Sequence, residues 1–106
     1  MKISASVKDG VMHLYLKGEL DHHGAKEAMA SISSKIDVSL PHECVLDMGG
    51  ITFMDSSGIA VVLKTQRYIS EIGGSFAVEN VPKQAMRVLD AAGLSRIVNI
   101  TASIKE

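Results

Sequence analysis

Three stretches of helical periodicity, each followed by a short apolar run, constrain this chain more than any other feature. Ala25, Ala28, Met29, Ile32 and Ile36 recur at the spacing that lines one face of a helix. Ile59, Val62, Leu63, Ile69 and Ile72 form a second stripe, loosened by Thr65 and Gln66. Ala85, Met86, Val88, Leu89 and Ala92 form a third. The run at 43–48 reads as a buried strand, and those at 76–78 and 97–100 as short strands. Helices alternating with strands require right-handed crossovers and a mostly parallel sheet.

The first twenty residues add a different unit. Ile3, Ala5 and Val7 alternate with Ser4, Ser6 and Lys8, which is a strand pattern. Asp9-Gly10 is a two-residue hairpin signal. The following strand, expected over 11–17 and ended by Gly18, puts Met12, Leu14 and Leu16 on one face and His13 and Tyr15 on the other. Local punctuation supports the same division. Asp21 is placed as a helix N-cap, Pro41 closes a connection, and Gly73-Gly74 and Gly93 stop helices. Pro82 suits the first turn of the third helix. The expected fold is α/β: one domain over 1–106, with a mixed, mostly parallel sheet of four to five strands. It begins with a hairpin, carries three to four helices, and ends in a loose tail at 101–106.

Composition narrows the function classes. The net charge is -1 and no Lys/Arg run occurs, which argues against a nucleic-acid binder working by phosphate neutralisation. Cys44 is the only cysteine, so no intrachain disulfide can form, as suits a reducing compartment. It sits in an apolar run and reads as a core residue. The N-terminal segment lacks an apolar signal block, and no run approaches the ~20 residues needed to span a bilayer. A cytoplasmic chain with no membrane partner is expected. Gly49-Gly50 and Gly73-Gly74 match neither a Walker loop nor a dinucleotide turn, and the adjacent His22 and His23 point about 100° apart on a helix. Neither a cofactor nor a metal site is expected.

The chemistry-bearing stretch is Phe53-Met54-Asp55-Ser56-Ser57-Gly58, between a strand and a helix. A serine there lies at the positive end of a helix dipole, beside backbone N–H groups that the helix itself leaves free. It can be a helix cap or a phosphoacceptor; spacing alone favours the cap. A serine hydrolase is a third reading, with Ser56 or Ser57 activated by one of His13, His22, His23 and His42. The nucleophile elbow's Gly-x-Ser-x-Gly is incomplete, since Met54 stands at its first glycine.

Gly18-Glu19-Leu20-Asp21-His22-His23, the hexapeptide from Phe53 to Gly58, and the Ala92-Gly93-Leu94 corner together resemble the bacterial anti-sigma-factor antagonists. These belong to the domain family shared by sulfate transporters and anti-sigma antagonists (STAS domains). The resemblance runs nearly the whole chain, and the Asp21-His22-His23 segment tilts it toward the sporulation branch that controls the forespore sigma F. It implies a binding module, not an enzyme. The unphosphorylated form would bind an anti-sigma factor that is also a serine kinase, and so release a sigma factor. Phosphorylation of Ser56, with Ser57 as runner-up, would end that interaction, and a PP2C-type phosphatase would restore it. The resemblance also assigns Asp21, Asp55, Gly58 and Ile59 to partner binding. Met54 and Ile59 would form an apolar centre if exposed, with Ser57 beside them. Ala60 departs from the family, which often has glycine there. The free protein is expected to be a monomer. A STAS module of another sigma pathway, such as general stress, is the alternative.

Overall fold

The computed structural model describes residues 1–103. The order is β1 (Lys2–Lys8), β2 (Val11–Leu20), α1 (His22–Ser39), β3 (Glu43–Met54), α2 (Ser57–Glu71), β4 (Ser75–Val81), α3 (Lys83–Ala91), a 3-10 turn (Leu94–Arg96) and β5 (Asn99–Ala102). The strands form one sheet in the order β1-β2-β3-β4-β5. The β1–β2 pair is antiparallel and every later pair is parallel. Asp9 (φ 53°) and Gly10 (φ 79°) are both left-handed, which is the backbone a tight hairpin requires.

Strands β2 to β5 are laid down in one direction, so right-handed crossovers place all three helices on the same face. Met12, Leu14, Leu16, Leu46, Met48 and Val78 are buried beneath them, together with Ile32, Ile36, Val61, Ile69 and Leu89. The other face carries Ser4, Ser6, Tyr15, Lys17 and Glu79, all exposed. This is the expected α/β fold with a mixed, mostly parallel sheet. Among the described residues it has five strands, where four to five were expected, and three α-helices, where three to four were expected.

Three strands run further than expected. β4 spans Ser75–Val81 where 76–78 was expected. β3 passes through Gly49-Gly50 to Met54, and β2 passes Gly18 to Leu20. Tyr15 pairs with Asp47 and Lys17 with Gly50, so β3 has one extra residue there; a second lies between Ile51 and Phe53. Each bulge flips the alternation, and thereby turns Ile51 and then Met54 into the core. The Asp47 carboxylate accepts the Gly49 N–H at 2.8 Å and holds the first bulge. A Cβ at Gly50 would lie 2.7 Å from the Leu16 carbonyl oxygen, so only glycine fits this approach of the two backbones.

Three smaller expectations are corrected. The core stripe of α2 is Val61, Val62, Thr65 and Ile69, while Leu63 and Ile72 are exposed. Thr65 can hold a core position because its hydroxyl donates to the Val61 carbonyl at 2.7 Å. Pro82 is the N-cap of α3, one residue before its first turn. The last strand begins two residues late, because the Val98 N–H still donates to Leu94 at 2.9 Å and continues the turn. Thr101 and Ala102 therefore belong to β5 and not to a tail; 104–106 lie outside the described residues. No helix among the described residues is long and apolar enough to cross a membrane.

Candidate functional site

β2 and β3 end side by side, with Leu20 opposite Met54, and the Asp55 N–H donates to the Leu20 carbonyl at 3.3 Å. The next residues of the two strands, Asp21 and Asp55, therefore emerge together at the carboxyl edge of the sheet, where open α/β sheets place their sites. Each aspartate starts a helix. Asp21 caps α1, its Oδ1 accepting the Gly24 N–H at 2.8 Å. Asp55 Oδ1 accepts the Ser57 N–H at 2.8 Å.

That second bond separates the two roles a serine can play here. Ser56 occupies the cap position of α2, yet its side chain makes no cap bond. Asp55 does the capping instead, which leaves the Ser56 hydroxyl exposed and uncommitted among the described residues. The first-turn N–H groups are not free, contrary to the expectation for a bare helix start. Besides Ser57, Gly58 donates to the Asp55 carbonyl at 3.0 Å and Ile59 to the Ser56 carbonyl at 3.1 Å.

The two serines face different hollows. Ser56 lines an open cavity of about 530 Å³ between α2 and α3, with Ile59, Gln84, Arg87, Val88, Ala91 and Ala92. Ser57 lines a hollow of about 470 Å³ between α1 and α2, with His22, Lys26, Ala60 and Lys64 among its neighbours. The Ser56 cavity offers Gln84 and Arg87 where a hydrolase would need an imidazole.

Not every residue assigned to partner contact is at the surface. Ile59 is half-buried and opens onto the Ser56 cavity. Met54 is fully buried, so it contributes no apolar centre; the second bulge of β3 turns it inward. Gly58 is buried as well. A Cβ there would meet Met54 Sδ at 2.3 Å and Leu20 Cδ2 at 3.1 Å, so this glycine serves packing of the helix onto the strand ends. Phe53, its exposure 42%, is the apolar side chain that the segment does present. Ala60 is exposed.

Sequence reasoning missed Gln84. Its Oε1 accepts the Met54 N–H at 2.8 Å and its Nε2 donates to the Met54 carbonyl at 2.7 Å. A side-chain amide thus pairs with the end of β3 as a neighbouring strand would, and fixes the backbone one residue before Asp55. Arg87, Ala91 and the cavity face of Val88 were also missed. The periodicity of α3 marked Val88 and Ala92 as apolar, but nothing local shows that they face Ser56.

A family model for the STAS domain matches residues 2–106. The chain belongs to the STAS domain family. This STAS chain is 36% identical over 91 residues to an anti-sigma F factor antagonist of Paenibacillus polymyxa, covering 86% of this chain and 78% of that protein. It is 28% identical over 108 residues to the anti-sigma-B factor antagonist of Bacillus subtilis, covering 96% and 94%. Among solved structures it resembles the antagonist SpoIIAA in its unphosphorylated form, with a TM-score of 0.78 and 26% identity over 93% of this chain and 87% of that one. The phosphorylated form of the Bacillus cell fate determinant SpoIIAA matches with a TM-score of 0.70 at 26% identity, over 93% and 90%.

Proposed function

We propose that this STAS chain is an anti-sigma factor antagonist switched by phosphorylation of Ser56. Its unphosphorylated form binds an anti-sigma factor that is also a serine kinase, and a sigma factor is released. The kinase then moves the γ-phosphoryl group of ATP to Ser56 Oγ; the hydroxyl proton goes to a base on the kinase and ADP leaves. A PP2C-type phosphatase hydrolyses the ester to serine and inorganic phosphate. The chain works in the cytoplasm, as a monomer when free and without a cofactor. The observation that carries this reading is the exposed, unbonded Ser56 hydroxyl beside an open cavity, with Asp55 relieving it of the capping role. The names of the relatives and the two phosphorylation states of SpoIIAA support it.

The energetics suit a switch. A phosphoserine carries about -1.5 to -2 charges at neutral pH. Asp55 adjoins it and Asp21 lies on the neighbouring loop. A charge left uncompensated in an interface costs on the order of 3–5 kcal/mol. That is roughly a hundred- to several-thousand-fold in affinity. We assign the partner-contact surface to Asp21, Asp55, Ser57 and Ile59. The 36% relative favours the sporulation pathway and sigma F; the match to the anti-sigma-B antagonist keeps a general-stress pathway as the second reading.

The test is incubation with the cognate anti-sigma kinase and ATP, followed by phosphopeptide mapping. Phosphate is expected on Ser56. Ser56→Ala should bind the kinase and resist switching, and Ser56→Asp should bind more weakly. Undiminished single-site phosphorylation of Ser56→Ala would move the acceptor to Ser57. No phosphate anywhere in 53–60 would refute the mechanism.

A further inference from the structure

Ser56 and Arg87 face one cavity from two elements, Ser56 from the start of α2 and Arg87 from α3. Much of the remaining wall is apolar, formed by Ile59, Val88, Ala91 and Ala92, and the Gln84 amide is committed to Met54. Arg87 has no hydrogen bond or ion pair among the described residues. We propose that Arg87 is the receptor for a phosphate on Ser56, and that this pair closes the cavity between α2 and α3 in the phosphorylated state. The proposal rests on Ser56 being the acceptor.

The usual receptor for an anion at this place is the helix N-terminus. Here the N–H groups of Ser57, Gly58 and Ile59 already have acceptors, and a carboxylate supplies one of them. A phosphate competing for Ser57 would have to displace Asp55 or lie against it. Asp21, at the edge of the same strand ends, adds a second negative charge on that side. Both carboxylates push the phosphate toward α3. There the guanidinium offers five donors in a fork that matches two phosphate oxygens at once. Asp90, one turn from Arg87 on α3, and Lys83, one turn before it, complete the charges on that helix. His22, Lys26 and Lys64 line the other hollow, with Ser57.

The pair would span α2 and α3 across the mouth of the cavity. Ile59, Val88, Ala91 and Ala92 would then be covered by the same modification that adds charge to the surface. The off state so has two parts, repulsion and a closed apolar hollow. A carboxylate mimic lacks the length and the second charge for the second part. Ser56→Asp is therefore expected to weaken partner binding less than phosphoserine does.

The test uses the full chain with phosphoserine incorporated at position 56 during synthesis, so no kinase is involved. The second ionisation of the phosphate is followed by phosphorus NMR. Arg87 beside it favours the dianion, so the titration midpoint should lie below that of Arg87→Gln by about half a pH unit or more. Arg87→Lys should restore much of the difference. Equal midpoints in the wild type and Arg87→Gln would overturn the proposal. So would an Arg87-independent shift of the Ser57 or Ile59 amide on phosphate ionisation, which would put the phosphate on the helix. A kinase experiment that maps to Ser57 would instead refute the acceptor assignment, and the proposal with it, whatever the titration shows.

Discussion

Replacing Gln84 by alanine removes both bonds that hold Met54, the last residue of β3, to the start of α3. Each is short, at 2.8 and 2.7 Å, and each joins residues 30 apart in sequence. A typical intramolecular hydrogen bond contributes about 0.5–1.5 kcal/mol net, so the pair is worth about 1–3 kcal/mol. The bonds are only part-buried, and water can re-pair the freed groups in the variant. The expected loss is therefore in the lower half, about 1–2 kcal/mol. For a chain of this size that lowers Tm by roughly 5–15 °C. Urea unfolding should show a lower midpoint with an unchanged slope. Native-state hydrogen exchange should show the Met54 amide losing protection more than the amides of β2. The functional consequence is a looser backbone just before Asp55, so the Asp55–Ser57 bond should be disordered in the same variant. If Gln84→Ala leaves both Tm and the Met54 amide unchanged, the clamp does not position the site and the reasoning fails.

Gly58→Ala sets two effects against each other: helix propensity gains up to about 1 kcal/mol, while a methyl 2.3 Å from Met54 Sδ costs about 1–3 kcal/mol by overpacking. Net destabilisation of about 1 kcal/mol is expected, relieved in a Met54→Ala background; a more stable single variant in thermal melts would contradict this packing role. Cys44 is buried, and burial pushes its thiol up to about 12, so the native chain should resist iodoacetamide at pH 8 and react once unfolded. Fast labelling with an intact circular dichroism spectrum would refute that. The Tyr68 hydroxyl donates to Asp37, and this bond, with burial and the nearby Asp37 and Glu71 charges, raises its pKa above the ordinary 10.0. A raised pKa means stability that is present below the unfolded value and lost as pH rises through the folded one. Alkaline melts should therefore show the wild type losing more stability above about pH 10 than Tyr68→Phe does.

The elements legible in the sequence are those whose signals are local. Asp9-Gly10 needs only its own two dihedral angles to make the hairpin, and Asp21 needs only the Gly24 N–H three residues away. The stripe of α1 was visible because Ala28, Ile32 and Ile36 lie on one face of one helix. By contrast, Gly49-Gly50 reads locally as a break. It lies within a strand because β2 pairs alongside it, and the Leu16 carbonyl comes too close for any side chain at Gly50. Thr65 looked like an interruption of α2 and is a core residue, since its own helix satisfies its hydroxyl.

The same line divides the site. The order of elements, the hexapeptide from Phe53 to Gly58 and its place between strand and helix were determined by the sequence alone, because turn chemistry and periodicity act over a few residues. Tertiary structure decided which of the hexapeptide's groups are available. The bulges in β3 bury Met54, Asp55 takes the cap from Ser56, and the packing of three helices on one face sends Ser56 toward Arg87 and Ser57 toward Lys26 and Lys64. The Gln84 clamp and the Ser56–Arg87 cavity join segments about thirty residues apart, and only the folded chain brings such segments together.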